Sequence, residues 1–156
     1  ADMTATDYPV RDLAAWPPEV ARLYDPVMDA GVVAIGRQQE VVLGARGSGA
    51  GGATTTVADM LAFDAALRGG KLVRSETLKA MTALQAPSEF AGHGYGYGFL
   101  ISEGRWGHGG SSRGCQFEFE RFDASDTTYV VASNLNTIAG PEISGLLNRV
   151  ISPPRA

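Results

Sequence analysis

The sequence predicts an α+β fold: an antiparallel sheet with a C-terminal helix packed on one face, plus short helices. Three observations predict it. From Tyr95 the apolar period becomes two, with Tyr95, Tyr97, Phe99 and Ile101 pointing one way and Gly96 and Gly98 the other. Cys115, Phe117 and Phe119 alternate with Gln116, Glu118 and Glu120, and a further strand-like run, Thr127 to Ser133, follows the Asp123-Ala124-Ser125-Asp126 turn. Finally, Ile143, Leu146, Leu147, Val150 and Ile151 recur as i, i+3, i+4, i+7, i+8, the spacing of one helix face.

In chain order, residues 1–46 read as an irregular lead-in with a possible hairpin. Pro9, Pro17, Pro18 and Pro26 interrupt any period there, leaving room for one helical turn around Glu19 to Leu23. Val32 to Ile35 and Val41 to Leu43 are short β-branched runs separated by polar residues, which suits a hairpin or an extended excursion. Residues 47–90 read as a Gly-rich loop and two short helices. Thr56 with Asp59 resembles a capping box opening a helix whose apolar face is Val57, Met60, Leu61, Phe63 and Leu67, stopped by Gly69-Gly70. Ser75 can cap a second helix bearing Leu78, Met81 and Leu84, which must end before Pro87. Residues 91–156 hold the strands and the last helix, with Pro141 in its first turn and Pro153-Pro154 ending it. Close packing is expected against Gly96 and Gly98, which carry no side chain.

Composition narrows the function classes. A chain of 156 residues with 44% hydrophobic residues and a net charge of -4 suits one globular domain and gives neither a disordered profile nor a basic nucleic-acid footprint. No apolar run approaches the roughly 20 residues that cross a bilayer, and no charged-then-apolar signal opens the chain. Cys115 stands alone, so no internal disulfide forms and the compartment stays open.

Several motifs compete. Gly47, Gly49 and Gly52 satisfy G-x-G-x-x-G, but no second βαβ unit follows, so a structural turn is favoured over a cofactor loop. Gly110-Ser111-Ser112-Arg113-Gly114 satisfies G-x-S-x-G, yet a strand follows where the nucleophile elbow needs a helix, and both histidines come earlier. His93, His108 and Cys115 lack metal-site spacing, so neither metal nor cofactor is expected. His93 reads as a loop residue that could line the same cleft as His108, and Cys115 as a buried strand residue. Trp106-Gly107-His108-Gly109-Gly110 remains: an imidazole flanked by glycines is reachable, and a ligand or another backbone can come close. Its bland alternative is a tight turn between two strands.

An ordered succession carries a resemblance. Gly51 to Phe63, then Leu72 to Thr82, then Tyr95-Gly96-Tyr97-Gly98-Phe99, then Gly107-His108-Gly109-Gly110, then Val130 to Asn136 resemble the C-terminal half of the β-lactamase-related serine hydrolases. That group includes class C β-lactamases, D-alanyl-D-alanine carboxypeptidases, D-aminopeptidases and family VIII-type esterases. The resemblance implies a partial single domain of the β-lactamase/transpeptidase-like fold. It makes His108-Gly109-Gly110 the H-x-G form of the family's third motif.

By that resemblance His108 contributes a hydrogen bond or charge to a substrate carboxylate or to proton transfer. Gly109 and Gly110 let substrate lie along the strand, and the Ser111 backbone N–H forms one arm of an oxyanion hole. The family's S-x-x-K and Y-x-N motifs do not occur: Ser75 to Lys79 holds one residue too many. The nucleophile is therefore expected from an N-terminal half of the same enzyme or from a symmetry mate, with a small acyl, peptide or β-lactam substrate. Histidine in place of lysine leans toward a peptidase or esterase. Without its other half, the sheet would show an open edge and an uncovered apolar face. The rival expectations are a non-catalytic binding or scaffold relative of the same fold and a nucleotide-binding α+β module.

Overall fold

A computed structural model describes residues 1–8, 18–29, 31–40, 47–49, 51–88 and 93–152. Two strands, β1 (Tyr24–Asp29) and β2 (Val32–Glu40), form an antiparallel hairpin. The helices α1 (Val57–Arg68) and α2 (Ser75–Met81) follow. A six-stranded antiparallel sheet then runs in sequence order: β3 (Ala86–Pro87), β4 (Gly94–Tyr95), β5 (Leu100–Ser102), β6 (Arg105–Ser112), β7 (Cys115–Phe122) and β8 (Thr127–Ser133). Helix α3 (Ala139–Ile151) closes the described chain.

The sheet has two unlike faces. Residues directly opposite one another on paired strands share a face, so the pairs His108↔Phe119 and Trp106↔Arg121 lie on one side and Gly109↔Glu118 and Gly107↔Glu120 on the other. The first side holds the core of Leu67, Phe99, Trp106 and Phe119, against which Met60, Phe63, Leu78 and Met81 pack from α1 and α2. Helix α3 lies on the second side, over β7 and β8.

Polar contacts fix α1 on the core side. Asp64 is 2% exposed, and its Oδ2 accepts hydrogen bonds from Arg68 Nε at 3.0 Å and from Thr128 Oγ1 on β8 at 2.9 Å. Arg121, also buried, reaches Asp123 and Asp126 in the β7–β8 turn, and Trp106 Nε1 donates to Asp123 Oδ2 at 3.0 Å. Asp126 has a φ of +50°, the left-handed region that Asp tolerates in turns. The Arg121 guanidinium holds the Asp126 carboxyl below its ordinary range.

Several expectations are corrected. Pro18-Glu19 forms a turn with no helix after it, and the hairpin pairs Tyr24–Asp29 with Val32–Glu40, earlier than the sequence suggested. Gly31, at φ +82°, makes that reversal possible. Val41 to Leu43, Pro9, Pro17 and Pro153-Pro154 lie outside the described residues. Only half of the capping box forms. Thr56 Oγ1 accepts from Asp59 N–H at 3.1 Å, but the Asp59 carboxylate turns to Ala5 N–H and Thr6 Oγ1, tying the N-terminal segment to α1. Val57 and Leu61 are exposed, because α1 meets the sheet through Phe63, Asp64 and Leu67. Arg74, not Ser75, precedes α2 as its cap, with no side-chain hydrogen bond, and Leu84 is exposed beyond the helix.

Tyr95 to Ile101 is not one strand. Gly96 N–H donates to Phe99 O across a tight reversal that Gly98 permits at φ +83°, leaving Phe99 buried and Tyr97 exposed. The expected close packing holds at Gly96, where a Cβ would fall 2.0 Å from Met81 O, and fails at Gly98, which faces open space.

Helix α3 is rotated from its expected face. Gly140 and Ser144 are its buried residues, and Ile143, Leu146 and Val150 are 48%, 53% and 73% exposed. A Cβ on Gly140 would meet Gln116 Oε1 at 2.6 Å, so the small residues take the close approach and the large ones point outward. Together with the unpaired edge of β8 among the described residues, this is the open edge and uncovered apolar surface that the sequence led us to expect.

Removing the Asp64 carboxylate leaves Arg68 and Thr128 without their shared acceptor. Asp64→Ala should lower stability by about 2 kcal/mol, read as a shift in the urea unfolding midpoint.

Candidate functional site

The glycine-flanked imidazole sits within a strand, not in a turn. Strand β6 pairs with β7 over its whole length, from Arg105↔Phe122 to Ser112↔Cys115, and two residues, Arg113-Gly114, make the reversal. Gly114 has a φ of +73°, and a Cβ there would lie 2.6 Å from Leu23 Cβ. Its N–H donates to Asp25 Oδ1 at 2.6 Å while Arg113 Nε donates to Oδ2 at 3.1 Å, so one carboxylate of the β1–β2 hairpin clamps the turn. The G-x-S-x-G segment is therefore the tip of a hairpin. In the G-x-G-x-x-G segment Ser48 and Gly51 exchange backbone hydrogen bonds, and α1 opens only at Val57.

The other edge of β6 is half open. Strand β5 pairs only with Arg105 to Gly107, so from His108 to Ser112 the β5-side edge has no strand neighbour among the described residues. Unpaired backbone groups on such an edge can take an extended ligand as an added strand.

His108 is half-buried beside that edge, and both ring nitrogens are engaged. Nδ1 lies 2.7 Å from Gly109 O, and since a carbonyl only accepts, Nδ1 carries the proton. In the neutral ring Nε2 then accepts from Tyr95 Oη at 2.8 Å. The two rings meet edge to face, with centroids 5.8 Å apart at 85°. Tyr95 thus stands where an approaching group would meet the imidazole, a partnership the sequence reading missed. Its signal was present: Tyr95 belongs to a glycine-spaced segment reversing beside β6.

The glycines divide the work. Gly110, on the His108 side, has nothing within 4 Å of an added Cβ, so that side is open. Gly109 faces the opposite way, where a Cβ would lie 2.0 Å from Glu118 Oε2; a Cβ on Gly107 would lie 2.0 Å from Phe119 O. Ser111 is exposed, its Oγ 3.3 Å from Asn136 Oδ1.

A cavity of about 620 Å³ reaches from the open edge of β6, at His108, Gly110 and Ser111, round to the α3 side, where Arg105, Glu118, Glu120, Ser144 and Asn148 line it. His93 lines it too, with Nδ1 2.7 Å from Ser102 Oγ. Burial, then the neighbouring Glu120, raises Glu118 above the usual carboxylate range. Burial also raises Glu120, which Arg105 and His93 partly offset; Arg105 Nε lies 2.8 Å from Glu120 Oε2. Tyr129, whose hydroxyl donates to Asn148 Oδ1 at 3.0 Å, is pushed upward by burial and then by Glu120. Cys115 is half-buried at the start of β7. Among the described residues no three metal-ligating side chains cluster, and no helix is long and apolar enough to cross a membrane.

A family model described as Beta-lactamase matches residues 2–147. The chain belongs to the β-lactamase family. Solved structures agree on the fold. A penicillin-binding protein from Bacillus halodurans superposes with a TM-score of 0.82 at 20% identity, over 96% of this chain and 45% of that one. An octameric penicillin-binding protein homologue from Pyrococcus abyssi gives 0.72 at 20% identity, over 94% and 34%. A D-stereospecific amidohydrolase from Streptomyces sp. gives 0.69 at 23% identity, over 96% and 44%. Among curated proteins no sequence matches. This β-lactamase-family chain therefore spans less than half the length of the solved structures it resembles, and the C-terminal helix and antiparallel sheet follow their fold.

Two measurements follow from the β6 geometry. Gly107→Ala forces β7 backbone to move and should cost about 1–3 kcal/mol, whereas Gly110→Ala should stay within about 0.5 kcal/mol; Gly109→Ala, which need only displace a flexible carboxylate, should fall between them in chemical denaturation. A carboxylate whose folded value is raised binds its proton more tightly in the folded chain, so stability increases as pH falls through that value. Glu118→Gln should then raise the unfolding midpoint at neutral pH, and the gap should close as both proteins are measured at progressively more acid pH.

Proposed function

We propose that this chain is the H-x-G-bearing part of a serine hydrolase that acts on an amide, ester or β-lactam carbonyl through an acyl-enzyme. The observation that supports it most is the open edge of β6 from His108 to Ser112, lying beside the Tyr95–His108 pair. In this reading the substrate's extended backbone lies along the edge, on the side that Gly110 leaves clear. The Ser111 N–H faces the developing oxyanion; a donor so placed is commonly worth about 3 kcal/mol of barrier. His108 acts through Tyr95: when Tyr95 Oη takes a proton from the reacting group, its own proton passes to His108 Nε2, and the Nδ1–H bond to Gly109 O keeps the ring oriented. Gly109 serves this arrangement by making room for Glu118.

The attacking hydroxyl and its lysine come, in the same reading, from a complementary N-terminal segment or a second copy, which covers the β8 edge and the outward face of α3. Peptidase or esterase chemistry is favoured over a dedicated β-lactamase because the motif carries histidine. The absence of S-x-x-K and Y-x-N from the chain supports one rival, a non-catalytic relative that uses the same edge to bind.

The complete protein, with the nucleophile-bearing part present, should acylate with a fluorophosphonate, a penicillin or an activated ester, detected as a mass increase. Tyr95→Phe should lower kcat by about 10²-fold with a smaller change in KM. No acylation and no turnover with any of the three probes would sink the hydrolase reading in favour of the binding relative.

A further inference from the structure

The cavity that reaches round β6 from its open edge holds, on its α3 side, a carboxylate that the proposed chemistry does not use. Of the three strong charges lining the cavity beside α3, Arg105 and Glu120 form an ion pair at 2.8 Å. That leaves Glu118, which has no cationic partner among the described residues. Its carboxylate lies flat against the Gly109 backbone, in the space a side chain at that position would fill. Across the cavity Ser144 is 7% exposed, and its hydroxyl hydrogen-bonds the Tyr129 phenol, which leaves the lone pairs of its Oγ able to accept. A half-buried anion and a buried hydroxyl with free lone pairs thus face a space of about 620 Å³. The Glu118 carboxylate is costly as it stands, since burying a charge without a partner costs free energy.

We propose that this cavity binds a monocationic group, an ammonium or a guanidinium, seated on the Glu118 carboxylate with Ser144 Oγ as a second acceptor. One positive charge is what the cavity lacks, because Glu120 is already matched by Arg105. Both cation types donate several hydrogen bonds, suiting a carboxylate and a hydroxyl on facing walls. The space is that of a small-ligand pocket, of a size for an alkyl amine or a basic side chain. Burial raises Glu118, and a bound cation would restore its ionised form. Since Glu118 rests on the peptide next to His108, an occupant would also stiffen the strand that carries the imidazole.

The test is a titration of the 156-residue chain with n-butylguanidinium, n-butylammonium and the neutral isostere n-butylurea, followed by amide NMR shifts. Both cations should give saturable shifts at Gly109, Glu118 and Ser144, and the urea none. Glu118→Gln should weaken cation binding at least tenfold and Ser144→Ala several-fold, while Glu103→Gln, on the exposed β5–β6 turn, should leave it unchanged. Glu118→Gln removes a charge that burial disfavours, so a native-like spectrum should confirm that it folds. Absence of saturable binding, equal binding of the urea, or unchanged affinity in Glu118→Gln would overturn the site.

The cation could belong to a free ligand or to a lysine or arginine of a covering segment, and the complete protein separates these. Retained n-butylguanidinium binding indicates a free ligand. Lost binding, with Glu118 protected from carbodiimide-driven glycinamide coupling, indicates a basic side chain. Lost binding with Glu118 still modified at the rate of the isolated chain would overturn the proposal. None of these readouts depends on acylation, so the cation site stands or falls separately from the hydrolase reading.

Discussion

The unbroken pairing of β6 with β7, from Arg105↔Phe122 to Ser112↔Cys115, is the constraint on which the rest depends. Side chains alternate across a strand, so this one register decides what each face receives. It places Trp106 and Phe119 toward α1 and α2, where they form the core, and sends Glu118 and Glu120 toward α3. A slip of one residue would bury the acids among the aromatics. The register is held at both ends by charge: Arg113 and Gly114 are clamped by Asp25, and Arg121 is bound to the aspartates of the β7–β8 turn.

The glycines of β6 follow from the same register. Gly107 and Gly109 face the α3 side, where β7 backbone and the Glu118 carboxylate come too close for a Cβ, while Gly110 faces the open side with His108. A single strand therefore has a back where Gly107 and Gly109 leave no room for a side chain of their own, and a reachable front. The imidazole at the front is held between a carbonyl of its own strand and a phenol from the neighbouring reversal. Such anchoring fixes tautomer and orientation together.

The last helix and the last strand leave apolar surface and backbone edge exposed side by side. Helix α3 presents Gly140 and Ser144 to the sheet and turns Ile143, Leu146 and Val150 outward, and β8 ends the sheet with an unpaired edge. A continuous apolar stripe beside an open strand edge suits a covering element. The longer solved relatives, of which this chain spans less than half, are consistent with that.

The sequence by itself determined the α+β class, the alternation through β7 and β8, the three helices and the H-x-G triplet. Each is a local pattern: period two, period 3.6, a threonine cap, a histidine among glycines. It also determined that S-x-x-K and Y-x-N are missing. Only the tertiary structure decided which apolar residues of α1 and α3 are buried, because that depends on where Thr128 and Gln116 sit on distant strands. It alone decided that Asp59 abandons its capping box for Thr6, that Tyr95 meets His108, and that Gly109 makes room for Glu118. Those are contacts between segments far apart in the chain or across a strand pair, and periodicity carries no information about which partner a side chain will find once the sheet is assembled.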